Sequence, residues 1–328
     1  MSFPKILLYG SFVLFASIGI VSVMKGQKKD EKVEMVAEKE ITEVLTIQNE
    51  QQPQEEVKIE EKVVTIKEDD IPQADIIDRL FVTDSSKLPF VETITYTSRV
   101  PWLKGRPAWI ADYASYYETT RHFIARSLNK NDDYFTQKIS PGDRFNVIRK
   151  DKNISFYLLI DISRSKLFFY ALDKDLNSRY LLKTYNVGLG RKNVKKESGY
   201  LTPTGKYTLG SKVAIYKPGT MGYFQDRKIE MIRVFGTRWI PFDKEVENCS
   251  DISKGYGLHG CPWINKAPTG ELIEDVAQVG QYDSDGCIRL YSKDVEEIFS
   301  IVISKPTVVE IVKDFSQASL PCEEVEIK

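Results

Sequence analysis

Cysteine is scarce in this chain of 328 residues: only Cys249, Cys261, Cys287 and Cys322 occur. Four cysteines spread in this way build no disulfide framework, although an oxidising compartment would permit one bond, with Cys249 and Cys261 as the pair to consider. Histidine is scarcer still, with His122 and His259 alone. A zinc site drawn from Cys249, His259, Cys261 and Cys287 would lack any C-x-x-C pair and matches no common zinc spacing, so no metal is expected. A surplus of basic charge is missing too: 46 Lys and Arg face 47 Asp and Glu, for a net charge of -1. Binding driven by neutralising phosphates needs such a surplus, so nucleic acid is excluded as a partner. No internal repeat is visible.

What is present falls into segments. Residues 6–24, ILLYGSFVLFASIGIVSVM, form a run without a charged side chain. Nineteen helical residues at about 1.5 Å each nearly match a hydrocarbon core of roughly 30 Å. The run ends Val23-Met24-Lys25, which is no good cleavage site, so residues 1–25 are expected to be a membrane anchor; a cleaved signal is the alternative. Residues 26–80 are rich in Glu, Lys and Gln, with no aromatic residue and no glycine beyond Gly26. Such a segment buries too little apolar surface to offset its ordering entropy, and it reads as a disordered linker.

Residues 81–150 read as a small α/β accessory domain. Proline and apolar spacing in Pro107–Ala114 predict a helix start, and Thr119–Leu128 predicts a second helix with Phe123, Ile124 and Leu128 on one side. Ile139-Ser140-Pro141-Gly142-Asp143-Arg144-Phe145 then predicts a turn into a strand. Helix, helix, then I-x-P-G-D-x-F is similar to the second half of a LysM module, a glycan-binding fold, with the first strand looked for in Val91–Thr97.

From residue 151 to 314 the pattern is mostly β. Phe156–Asp161 and Lys166–Tyr170, joined by Ser163-Arg164-Ser165, predict a hairpin of buried strands. Tyr180–Val187, Gly205–Leu209, Ile229–Phe235 and Val308–Val312 predict further strands. Val295, Ile298, Phe299 and Val302 recur at helical spacing and predict one helix over Lys293–Ile303. Residues 315–328 read as a tail.

Two clusters carry chemistry: Tyr256-Gly257-Leu258-His259-Gly260 and Ser284-Asp285-Gly286-Cys287-Ile288-Arg289-Leu290. A thiol is a strong nucleophile only as the thiolate, and a histidine can take its proton. Glycine before the cysteine permits a tight backbone whose N–H groups converge on an oxyanion. Arg289 has the geometry to pair bidentately with a substrate carboxylate. His-Gly followed by Ser-x-Gly-Cys-Ile-Arg resembles the signature of the L,D-transpeptidases with a YkuD-type catalytic domain. Lys166–Tyr170, Val187-Gly188-Leu189-Gly190, Thr202-Pro203-Thr204-Gly205 and Phe235-Gly236-Thr237-Arg238-Trp239-Ile240 fall in that family's order, so the resemblance spans Asn153 to Lys313.

The resemblance implies a YkuD-type β-sandwich and a two-step acyl transfer on peptidoglycan stem peptides in the bacterial cell envelope, outside the cytoplasmic membrane. Cys287 would be the nucleophile and His259 its base, with the Gly260 carbonyl fixing the imidazole tautomer. Gly286 and Cys287 would supply oxyanion N–H groups; Ser284, Asp285 and Arg289 would shape the loop or hold substrate. Tyr256, Arg238 and Trp239 are further candidates for the substrate groove, and no cofactor is required. The alternatives are a hydrolytic L,D-carboxypeptidase or amidase, and an inactive wall-binding tether. Two features depart from the family: Asp285 stands where many members are basic, and the stretch from Cys261 to Gln281 reads as an insertion beside the site, placed to act as a lid.

Overall fold

The computed structural model describes residues 71–129 and 138–326. The expected membrane run at 6–24 and the linker up to residue 70 lie outside these residues. Among the described residues, no helix is long and apolar enough to cross a membrane.

The chain begins with β1 (Val91–Thr95), α1 (Ile110–Tyr116), α2 (Arg121–Asn129) and β2 (Arg144–Ile148). β1 and β2 pair antiparallel, Val91 opposite Ile148 and Thr95 opposite Arg144, and the helices close one face over Tyr113, Ile124, Phe145 and Val147. The first strand therefore falls within the stretch searched for it, and the order is strand, helix, helix, strand.

The larger part follows with β3 (Ile154–Asp161), β4 (Lys166–Asp173), β5 (Ser178–Asn186), β6 (Leu189–Gly190), β7 (Gly205–Leu209) and β8 (Ala214–Ile215). Next come β9 (Met221–Phe224), β10 (Arg227–Glu230), α3 (Ile232–Phe235), β11 (Arg238–Glu247) and β12 (Gly257–Gly260). β13 (Trp263–Lys266), β14 (Glu271–Glu274), β15 (Tyr282–Ser284), β16 (Ile288–Leu290), α4 (Ser292–Val302), β17 (Thr307–Val312) and β18 (Glu323–Glu324) complete it. The main sheet runs β16-β12-β11-β7-β17-β3-β4-β5-β18, with β8 beside β11. The architecture is mostly β with few helices, as the sequence led one to expect.

β3 is buried along its whole length because both faces of the sheet are covered. Phe156, Leu158 and Ile160 enter the main core with Ile240, Leu258, Ile288 and the α4 residues Val295, Ile298 and Phe299. Tyr157 and Leu159 point to the other face, where Phe168, Tyr170, Phe315 and Leu320 meet them. A strand buried on both sides reads as a continuous apolar run rather than an alternating one.

That double burial corrects three sequence boundaries. Residues 71–80 are not linker: Ile71, Ile77 and Leu80 are buried, and the amide of the buried Asn146 donates to Leu80 O at 2.9 Å and Val82 O at 2.6 Å. Residues 315–326 are no loose tail, since Phe315 and Leu320 cap the second sheet face and β18 extends the sheet beside β5. Nor does residue 150 divide two independent cores, because Phe90, Phe123 and Ile148 share one cluster with Ile154 and Phe299. A fourth correction is local. The strand expected over Ile229–Phe235 stops at Glu230, and α3 begins at Ile232.

Candidate active site

β12 and β16 lie parallel in the register Leu258–Ile288, His259–Arg289, Gly260–Leu290. Side chains on a strand alternate between faces. The fully buried Leu258, Ile288 and Leu290 thus take the core face, and His259, Arg289 and Cys287 are left together on the other. There a cavity of about 720 Å³ opens, lined by Cys287, His259, Arg289, Trp239 and Phe235, with β9 and β10 supplying one wall.

His259 is buried between two aromatic rings, Phe235 at 5.4 Å in edge contact and Trp239 at 6.0 Å. Its Nδ1 lies 2.7 Å from Gly260 O. A carbonyl oxygen can only accept, so Nδ1 carries the proton and Nε2 keeps its lone pair, as the Gly260 expectation required. Burial lowers the imidazole pKa to about 4, and the positive charge of Arg289 pushes the same way, against the Gly260 bond that raises it. Cys287 Sγ turns toward Gly255 O at 3.5 Å. Desolvation raises its pKa to about 11, with Asp285 adding to the rise and Arg289 opposing it. Both side chains are therefore neutral near pH 7.

The loop from Ser284 to Cys287 is fixed from within. The buried Ser284 hydroxyl donates to Cys287 O at 2.7 Å and accepts from Gly286 N at 3.0 Å. The Gly286 N–H, expected to face an oxyanion, is thus engaged by the Ser284 side chain. Gly286 has φ +115°, and a Cβ there would stand 2.5 Å from the Tyr256 ring and 2.7 Å from Leu201 O. Only glycine fits both the backbone angle and the space. Tyr256 thus buttresses the loop, and its hydroxyl donates to Asp251 at 3.2 Å while Asp251 also pairs with Lys196.

The remaining candidates separate. Asp285 is 74% exposed and pairs with Arg191 at 2.5 Å, so its carboxylate is directed at a cation in solvent. Arg289 lines the cavity, but its Nη1 already bonds Asp283 at 2.5 Å and the Gln278 side chain. Trp239 lines the cavity opposite His259 in the β11–β12 register. Arg238 does not reach it. One position earlier on β11, it turns to the opposite face, where it is buried, meets Glu296 at 3.3 Å and lies over the Phe299 ring. Strand alternation, which sequence proximity hides, removes Arg238 from the groove.

All four cysteines are free. Cys249 donates to Lys206 O at 3.0 Å beside β7, whereas Cys261 is buried just beyond β12, so β11 lies between the two. Among the described residues, no three His, Cys, Asp or Glu side chains are grouped to hold a metal ion. The stretch from Cys261 to Gln281 forms the β13–β14 hairpin, anchored where Glu274 accepts from Ser292 N and Asn265 accepts from Arg233. Of this stretch, Pro262 lines the cavity.

Sequence reasoning missed the β9–β10 hairpin, whose Phe224, Gln225, Arg227 and Ile229 line the cavity. Its two-residue turn is Gln225-Asp226, both at positive φ. The flanks Met221-Gly222-Tyr223-Phe224 and Arg227-Lys228-Ile229-Glu230 show no apolar–polar alternation, and the turn lacks the Asn-Gly or Asp-Gly that marks such hairpins most plainly.

The fold and site together define a mostly-β domain carrying a histidine on one strand and a cysteine immediately before the parallel strand beside it. Residues 155–311 match the family model described as the L,D-transpeptidase catalytic domain, YkuD, and the chain carries a catalytic domain of that family. Among solved structures, the chain is similar to the helical cell shape determining protein Pgp2 from Campylobacter jejuni, with 17% identity over 52% of this chain and 51% of that one, at a TM-score of 0.32. It is also similar to Bd1075 from Bdellovibrio bacteriovorus, with 14% identity over 48% of each chain and a TM-score of 0.32. The matches thus span about half the length of these structures. No curated protein matches the chain.

Proposed function

We propose that this protein is a peptidoglycan L,D-transpeptidase that forms 3→3 crosslinks through a Cys287 thioester, held to the cytoplasmic membrane by residues 6–24 with its catalytic domain outside. The observation that carries this reading is the β12–β16 register. It brings Cys287 and His259 into one cavity, with the imidazole tautomer set to accept a proton at Nε2.

In the first step, Cys287 Sγ attacks the carbonyl carbon between the diamino acid and the terminal D-alanine of a tetrapeptide stem. The thiol proton passes to His259 Nε2 as the S–C bond forms. Because the thiol is neutral at rest, proton transfer accompanies attack and does not precede it. The Cys287 N–H faces the developing oxyanion. The tetrahedral intermediate collapses with rupture of the C–N bond, and the imidazolium returns its proton to the departing D-alanine amine. A side-chain amine of a second stem then attacks the thioester and yields its proton to His259. The thiolate leaves and recovers that proton, restoring the enzyme. Aromatic rings around His259 keep the imidazole neutral, so it is ready as a base on each arrival.

Incubation with tetrapeptide muropeptides, followed by mass spectrometry of wild type and Cys287→Ala, tests this reading. Crosslinked dimers from wild type alone are expected. Tripeptide without dimers would replace transfer by hydrolysis. Absence of both products, together with no covalent carbapenem adduct on Cys287, would leave the tether reading in its place.

A further inference from the structure

Four charged side chains line the cavity: Arg227, Arg233, Arg289 and Asp285. Three of them are already balanced. Arg233 bonds Glu230 at 2.7 Å and Asn265 at 2.9 Å, Arg289 bonds Asp283, and Asp285 pairs with Arg191. Arg227 has no hydrogen bond or ion pair among the described residues. It opens β10 opposite Phe224. Alternation puts Arg227 and Ile229 on the cavity side and leaves Lys228 on the other. The β9–β10 wall is also held in place, because Arg233 fastens Glu230, at the end of β10, to Asn265 of the β13–β14 hairpin. The cavity that Cys287 lines therefore also presents, on an anchored wall, one guanidinium without a partner among the described residues.

We propose that Arg227 is a specificity-determining residue that pairs with a free carboxylate on the acyl half of the donor, carried by the diamino acid whose carbonyl reaches Cys287. A guanidinium matches a carboxylate with two parallel N–H···O bonds, whereas a carboxamide offers neither the charge nor the second acceptor oxygen. With the carbonyl of that residue at Cys287, its side chain would lie in the cavity that Arg227 also lines. Stems whose diamino acid lacks this carboxylate, or bears it as an amide, would be poorer donors. The inference rests on the acyl-transfer reading above, but binding tests it without turnover.

The test measures donor affinity by calorimetry on Cys287→Ala and on Cys287→Ala/Arg227→Gln. Two synthetic tetrapeptide stems are used, identical except that the diamino acid's side-chain carboxylate is free or amidated. A solvent-facing guanidinium should favour the free acid by about tenfold in the first protein, and the preference should fall to about one in the second. Arg227→Lys in the same background keeps charge without the fork and should retain an intermediate preference. Equal affinity for the two stems in Cys287→Ala, no binding of either, or a preference that survives Arg227→Gln would each overturn the assignment. Turnover by wild type on the free-acid stem is measured separately. An inert enzyme that still shows the Arg227-dependent preference defeats the transpeptidase reading and leaves this one standing.

Discussion

Reaction of Cys287 with a small aromatic disulfide as a function of pH separates a neutral thiol from a standing thiolate. With the thiol pKa pushed up to about 11 by burial and the imidazole down to about 4, neither group is charged between those values. At pH 7 the thiolate is then about one part in ten thousand, against about 3% for an ordinary thiol of pKa near 8.5, a deficit of roughly 300-fold. Greater basicity makes each thiolate a better nucleophile and recovers about tenfold, so the net reaction should be roughly 30-fold slower than that of a free cysteine. The rate should climb about tenfold per pH unit from pH 6 to 9 with no plateau, since only deprotonation of the thiol changes. His259→Ala should leave this profile almost unmoved in the free enzyme while abolishing acyl transfer, because the imidazole takes the proton only during attack. The assay follows release of the aromatic thiolate under pseudo-first-order conditions, with Cys287→Ala as the blank. A plateau below pH 7 that disappears in His259→Ala would refute the reasoning, because it would reveal a thiolate–imidazolium pair already formed at rest.

Two further outcomes follow from particular contacts. Gly286→Ala forces a Cβ into the Tyr256 ring and Leu201 O at φ +115°, so it should cost about 1–3 kcal/mol of stability and lower acyl-enzyme formation by at least tenfold. Urea melts and carbapenem labelling check both effects, and wild-type labelling would contradict the role given to the loop. Glu297 on α4 bonds Lys183 at 2.9 Å, the Tyr185 hydroxyl at 2.8 Å and Arg126 at 3.4 Å, all away from the cavity. Glu297→Ala strips buried cations of their partner and should destabilise by about 3–5 kcal/mol in urea, with Glu297→Gln falling between; a loss under about 1 kcal/mol would show that the cluster adds little.

The clusters at His259 and Cys287 could be read directly because their chemistry depends on residue type and on short spacing along one strand or turn. The mostly-β character and α4 were legible for the same reason, since periodicity is local. Three features were not local. Arg238 and Trp239 are neighbours in sequence, yet β11 sends one into the core against Glu296 and the other into the cavity beside His259. Ile71 and Phe315 have little beside them in sequence to call for packing, and they are buried or partly buried because the second face of β3 and β4 needs cover from distant chain. The Gly286 N–H looked available until Ser284, two residues before it, proved to occupy it.

By itself the sequence marked out the residue types on which the proposed chemistry rests: one thiol, one imidazole three strands earlier in the chain, and the glycine that lets the loop turn. Those follow from chemical identity and short-range sterics, which need no knowledge of the rest of the chain. The tertiary structure decided how they meet. Parallel pairing of β12 with β16 placed Cys287 and His259 on one face. Burial then set both groups neutral, and a hairpin with an undistinguished turn brought Arg227 to the cavity wall. Solvation and strand register depend on what packs from far along the chain, and so they emerge only when the whole domain has closed.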